Sequence, residues 1–134
     1  MRKGFSVLEA KRLGTVVCDA ETTILEAATR MDEEDIGSLV VVDAEGCLTG
    51  IITRFDLLRA QVARPDWDSQ PVLDYMSRQV ITVPPSAPLM DVARLLVQNR
   101  IQRVVVAEET NGKQRPLAVI SASDIVYHMV KTMA

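Results

Sequence analysis

The chain has 134 residues, 48 % apolar and only 4 % aromatic, with a net charge of −3. That length suits one compact unit with an aliphatic core, and half of it would be marginal alone. The acidic balance argues against a general binder of nucleic acid or anionic membrane, which would need a basic face. Two cysteines, Cys18 and Cys47, make no disulfide framework and no zinc motif, and are read as packing residues.

The first twelve residues read as an amphipathic segment, with Phe5, Leu8 and Leu13 apolar, expected to cover the first half of the chain. Met1-Arg2-Lys3 is basic, but Glu9 and Lys11 interrupt any signal-peptide core. The apolar runs are of strand length, so no membrane helix is expected, and the protein is read as cytoplasmic.

A short β-rich stretch, residues 15–18, comes next. Thr23-Ile24-Leu25-Glu26 has the capping-box pattern that starts a helix, and Ile24, Ala27, Ala28 and Met31 share one helical face. Gly37 is expected to end that helix or to lie just beyond it. Strands are predicted at 38–43 and 48–53 around the turn Ala44-Glu45-Gly46, and a helix at 55–62. Residues 64–71, with Pro65, Asp66, Asp68, Ser69 and Pro71, read as a linker. A short helix at 72–77 should lead into a strand at 80–83. Pro88 suits the first turn of the following helix, capped by Ser86 or Ala87. Strands at 103–107 and 117–121 and a helix at 123–131 complete the order.

The second half repeats the first. Ile24, Ala27, Ala28, Met31 and Ile36 match Leu89, Val92, Ala93, Leu96 and Ile101, each 65 positions on. Ile51-Ile52-Thr53-Arg54-Phe55-Asp56 returns as Val119-Ile120-Ser121-Ala122-Ser123-Asp124 at an offset of 68. Three extra residues therefore lie in 108–116, where an added loop is expected around Asn111-Gly112. Each copy reads β-α-β-β-α. The predicted boundaries are 1–63 for the first copy with its N-terminal segment, 64–71 for the linker and 72–134 for the second copy.

This order of motifs, occurring twice, resembles the tandem cystathionine-β-synthase (CBS) domain pair, or Bateman module, of the stand-alone bacterial or archaeal type. The resemblance covers about residues 7–129. It rests on the strand-turn-strand at 36–46, on 48–58, on Asp74-Tyr75-Met76-Ser77 and Val80-Ile81-Thr82-Val83, and on 120–125. It implies an α+β fold of two pseudo-twofold-related units packed through their sheets. It also implies clefts between them for AMP, ADP, ATP, NAD or a related adenosine ligand, a homodimer, and a sensing role towards a regulated protein. No required cofactor is implied. Val40 and Val105 stand where many members carry Pro, which changes backbone constraint.

A nucleotide needs an apolar slot for its base, acceptors for the ribose hydroxyls and donors for the phosphate. Asp56 and Asp124 are the expected ribose acceptors, since charge-assisted bonds of that kind are strong. Thr53 and Ser121, with the helix-start amides, are expected to donate to phosphate. Arg54 adds charge at the first site. Ala122 stands there in the second, with Arg103 as the alternative source. By the family pattern, backbone groups of Thr15, Val16, Val17, Ser38 and Leu39 read the base in one site. Those of Val80, Ile81, Thr82, Gln102, Arg103 and Val104 do so in the other. Read without the resemblance, Thr53-x-x-Asp56 and Ser121-x-x-Asp124 are two capping boxes, and the two roles are compatible.

His128 reads as a helix residue at the core edge, and Met76, Met90, Met129 and Met133 as packing. Trp67 is expected to clamp the surface between the copies. No glycine-rich phosphate loop, metal cluster or nucleophile–base pair occurs, so no enzyme is expected. The alternative to a sensor is a structural dimerisation or protein-interaction module with degenerate pockets; the two Asp residues favour the sensor.

Overall fold

The Thr23 hydroxyl accepts the amide of Glu26 at 3.1 Å, and from this cap helix α1 (Ile24–Glu34) runs with Ile24, Ala27 and Met31 on its buried side. A computed structural model of the chain describes residues 6–7 and 14–133. The first copy continues through β1 (Val17–Cys18), before α1, to β2 (Ser38–Val42), β3 (Leu48–Thr53) and α2 (Arg54–Ala63). The second is β4 (Thr82–Val83), α3 (Leu89–Asn99), β5 (Arg103–Thr110), β6 (Lys113–Ser121) and α4 (Ala122–Met133). The β-α-β-β-α order is as expected, and the fold is α+β.

Each copy has a three-stranded sheet with its hairpin's first strand in the middle. β1 runs parallel to β2 with Val17 opposite Val40, and β2 is antiparallel to β3 with Ser38 opposite Thr53. The second sheet repeats this, with Thr82 opposite Val105 and Arg103 opposite Ser121. β-Branched residues fill the central strands because both faces are covered. Leu39, Val41 and Ile52 pack under α1 in the first core; Val104, Val106 and Ile120 pack with Leu89, Val92 and Leu96 of α3 in the second.

Helix α1 ends on Asp35, in the left-handed region at φ 50°, with Gly37 just beyond it. Its counterpart after α3 is Arg100 at φ 52°. Pro88 is itself the cap of α3, extended at ψ 141°, and neither Ser86 nor Ala87 takes that place. The three extra residues form no loop. They lengthen the second hairpin, which closes on Asn111 and Gly112, both at positive φ, between paired Thr110 and Lys113. Two such residues make the turn that matches strand twist.

The segments that precede each copy dock on the other one. Within residues 72–77 a single 3-10 turn forms at Val72–Asp74, and it docks on the first copy. Val72 is fully buried in the first core, its amide bonded to Thr22 at 2.8 Å, and Thr23 bridges Pro71. Likewise the Val7 amide bonds to Ala87 at 3.1 Å, Ser6 bridges Pro88, and Val7 is buried in the second core. By compactness, residues 16–80 form one unit, and residues 81–134 form the other together with the described residues before Val16. Val7 thus packs with the second copy, where cover of the first by residues 1–12 was expected. Phe5, Leu8 and Leu13 lie outside the described residues. Trp67 packs on the first core beside Tyr75 and Met76.

This docking constrains Gly50. Ser77 and Ile51 exchange both backbone bonds at 2.9 Å, and a Cβ on Gly50 would sit 2.7 Å from the Ser77 carbonyl oxygen. Backbone cannot give way as a flexible side chain can. Gly50→Ala should destabilise by about 1–3 kcal/mol, as overpacking does; urea unfolding with an unchanged midpoint would refute the contact.

Cys18 and Cys47 are both buried and unpaired, as expected. Burial pushes the Cys18 thiol up to about 11, opposed more weakly by a hydrogen bond with Thr22 and by Arg30. The folded state therefore holds its proton after the unfolded chain has lost it. The stabilisation is complete below the ordinary value of 9.0 and is lost as pH rises towards about 11. Cys18→Ala should flatten the fall in urea midpoint across that window.

Candidate functional site

The parallel β1–β2 pair and the antiparallel β2–β3 pair bring three termini to one sheet edge: the start of β1, the start of β2 and the end of β3. Val16, Val17, Ser38, Leu39, Thr53, Arg54 and Asp56 gather there. The second copy gathers Ile81, Thr82, Gln102, Arg103, Val104, Ser121 and Asp124 by the same geometry. Thr15 groups with the second copy and Val80 with the first, on either side of the exchanged segments.

At the first edge Thr53 ends β3 and caps α2. Its amide and hydroxyl donate to Asp56 Oδ2 at 2.9 and 3.0 Å, and the Asp56 amide donates back to Thr53 Oγ1 at 3.3 Å. Arg59, one turn on, donates to Asp56 Oδ1 at 3.0 Å. Asp56 is 9 % exposed and is the buried polar residue among those described. Ser121 and Asp124 repeat the box, at 2.8 Å from the amide, 3.1 Å from the hydroxyl and 3.3 Å for the return bond. Capping is thus present at both motifs.

These bonds limit what the site offers. A carboxylate has about four acceptor positions. Three at Asp56 are used, so accepting both ribose hydroxyls requires Arg59 to move. The Thr53 and Ser121 hydroxyl protons point to carboxylates and are not directed at a phosphate. The first amide of each helix is also occupied: Arg54 N donates to Gly37 O at 3.2 Å and Ala122 N to Gln102 O at 2.8 Å. Val16 and Ile81 carbonyls accept the ladder bonds from Val40 and Val105, and Arg30 donates to the Val17 carbonyl. Leu39 and Val104 are buried, backbone included.

Charge at the first edge is paired. Arg54 Nη2 lies 3.4 Å from Asp35 Oδ1, with both side chains exposed. The sequence reading did not find this pair, nor the role of Arg59. The Asp56/Arg59 spacing of three residues was a visible signal for the latter. Asp35 was not, because its place beside α2 depends on where α1 stops. His128 is half-buried in α4 with its ring edge-on to Tyr127 at 5.2 Å. No group of three or more metal-ligating side chains occurs among the described residues, and no helix there is long and apolar enough to cross a membrane.

A protein from Acidianus ambivalens, an uncharacterized 17.7 kDa protein in the bps2 3′ region, is 36 % identical over 97 residues, 72 % of this chain and 57 % of that one. The chain spans about half the length of the first curated relatives it matches. Its fold is that of the CBS domain pair of protein MJ0100, solved with 5′-methylthioadenosine and S-adenosyl-L-methionine. The TM-score is 0.85 and the identity 24 %, covering 95 % of this chain and 97 % of that one. CBSX2, solved with AMP, gives 0.80 and 22 %, covering 98 % of this chain and all of the other. The CBS domain family matches residues 10–63 and again 72–131, and the chain belongs to that family as a tandem pair.

Proposed function

We propose that the chain is a regulatory module that senses an adenosine-type ligand of the AMP, ADP, ATP or NAD class. The observation that carries this is the pair of carboxylates, Asp56 and Asp124, held at equivalent sheet edges by the same box of bonds. A fixed carboxylate at a strand-to-helix corner suits a ribose, and the aliphatic strand ends suit a base with few polar demands. The MJ0100 pair and CBSX2, which share the fold, were solved with adenosine compounds, which supports the ligand class. The module senses rather than catalyses, and its action on a regulated protein in the cytoplasm follows from a ligand that favours one arrangement over another.

Capping alone would account for both carboxylates, so a dimerisation or protein-interaction module is the second reading. Titration calorimetry with adenosine, AMP, ATP, NAD and S-adenosylmethionine separates the two. At least one adenosine compound should bind saturably at one or two per chain. Absence of heat and of thermal protection with all five would leave the second reading standing.

A further inference from the structure

We propose that the second copy, and not the first, is the preferred seat of the ligand's phosphate, and that Arg100 selects it. This rests on the adenosine-ligand reading above and reverses the ranking that Arg54 alone suggests.

The two edges share one backbone network. Asp35 N bonds to Asp32 O and Arg100 N to Val97 O, both at 3.4 Å. Ile36 N bonds to Met31 O at 3.0 Å and Ile101 N to Leu96 O at 3.1 Å. Gly37 and Gln102 then accept the first amide of α2 and α4. Asp35 and Arg100 are both left-handed, at φ 50° and 52°. Arg100 therefore stands to Ala122 as Asp35 stands to Arg54.

The Asp35–Arg54 contact shows that a side chain on the residue ending the first helix reaches the first residue of the second helix. In the first copy that contact sets a carboxylate against Arg54, the first residue of the helix. A phosphate there meets an Arg already paired and a negative charge beside it. In the second copy the carboxylate is replaced by a guanidinium, and the residue opposite is an alanine that takes no charge from it. The exchange extends to neighbouring positions. Arg103 replaces Ser38, and Tyr127 replaces Arg59. Thus a carboxylate faces Arg54 in the first copy, whereas positions 100 and 103 are both cationic in the second. Two like residues near a helix start would leave the copies equivalent; an opposite-sign exchange at one position does not.

A guanidinium suits phosphate oxygens because its fork can form two bonds at once. Arg100 carries a positive φ that an arginine adopts at some expense in stability. Glycine or asparagine would fit that backbone better, so the side chain is not explained by the turn alone.

The test is titration of AMP and of adenosine into the whole protein and into Arg100→Gln and Arg54→Gln. Gln keeps much of the stem and the same backbone strain, so folding is preserved, which circular dichroism checks. Arg100→Gln should weaken the tighter AMP site about tenfold, the effect of one charge-assisted bond. Adenosine should change less than about twofold, because it lacks the anion that screening and pairing act on. The salt dependence of AMP binding should flatten in the same variant. Arg54→Gln should leave the tighter site nearly unchanged. A larger AMP loss in Arg54→Gln, or equal losses for AMP and adenosine in Arg100→Gln, would overturn the proposal. If the unaltered protein binds neither compound, the ligand reading itself falls, a result distinct from binding that ignores Arg100.

Discussion

Asp124→Asn should weaken adenosine binding about 10- to 150-fold at the second copy, the range for a lost hydrogen bond to a charged acceptor. Asp56→Asn should lose a cap, as Asp124→Asn does, and also the pair with Arg59. Its carboxylate is buried, accepts two bonds from Thr53 and pairs with Arg59 at 3.0 Å. An amide nitrogen facing the Thr53 amide would set donor against donor. The loss of the cap should cost about 0.5–2 kcal/mol of stability without ligand, within the range for caps. At Asp56 a ribose hydroxyl must compete with Arg59 for Oδ1, so Arg59→Ala should tighten ligand binding. Urea unfolding and calorimetry on these variants read both quantities. Unchanged affinity in Arg59→Ala would refute the competition, and unchanged affinity in both asparagine variants would reduce the motifs to caps.

The Thr53 and Ser121 motifs were legible because their bonds are local. A hydroxyl, a carboxylate three residues on and a preceding apolar strand leave little choice of geometry. The helices were legible for the same reason, since Ile24, Ala27 and Met31 fall on one face at helical spacing. The docked segments were not. Val7 and Val72 differ by the repeat offset of 65, as do Thr22 and Ala87, whose carbonyls they bond. Each pair spans a long sequence separation, so no local pattern announces it. The αL residues were missed because glycine is the better chemical choice at positive φ, and the left-handed positions carry Asp35 and Arg100. The Arg54 charge was legible and its pairing with Asp35 was not, since that partner enters from another element.

The protein should be a homodimer at micromolar concentration. Helix α2 exposes Phe55, Leu58 and Val62, and Val62 is 87 % exposed. Their spacing of three and four residues sets them on one face. Helix α4 exposes Val126, Met129 and Val130 on one face in the same way. Contiguous apolar patches of this kind on a small protein mark an interface, where scattered single residues would not. A fully buried residue of these types contributes about 1.5–3 kcal/mol. Placing a glutamate at both Leu58 and Val130 should therefore raise the dissociation constant by at least about a hundredfold. Val97 on α3 is also exposed, at 78 %, but lies on neither face, so Val97→Glu should leave the dimer intact. Multi-angle light scattering reads all three proteins. A monomer mass for the unaltered chain would sink the prediction, and dissociation by Val97→Glu alone would move the interface to α3. Because α2 and α4 begin at Thr53 and Ser121, a dimer through these helices would hold both carboxylate motifs one turn from the subunit contact. Ligand affinity and dimer affinity should then be coupled, and by linkage in both directions. Added AMP should shift the dissociation constant by the same factor by which dimerisation shifts AMP affinity.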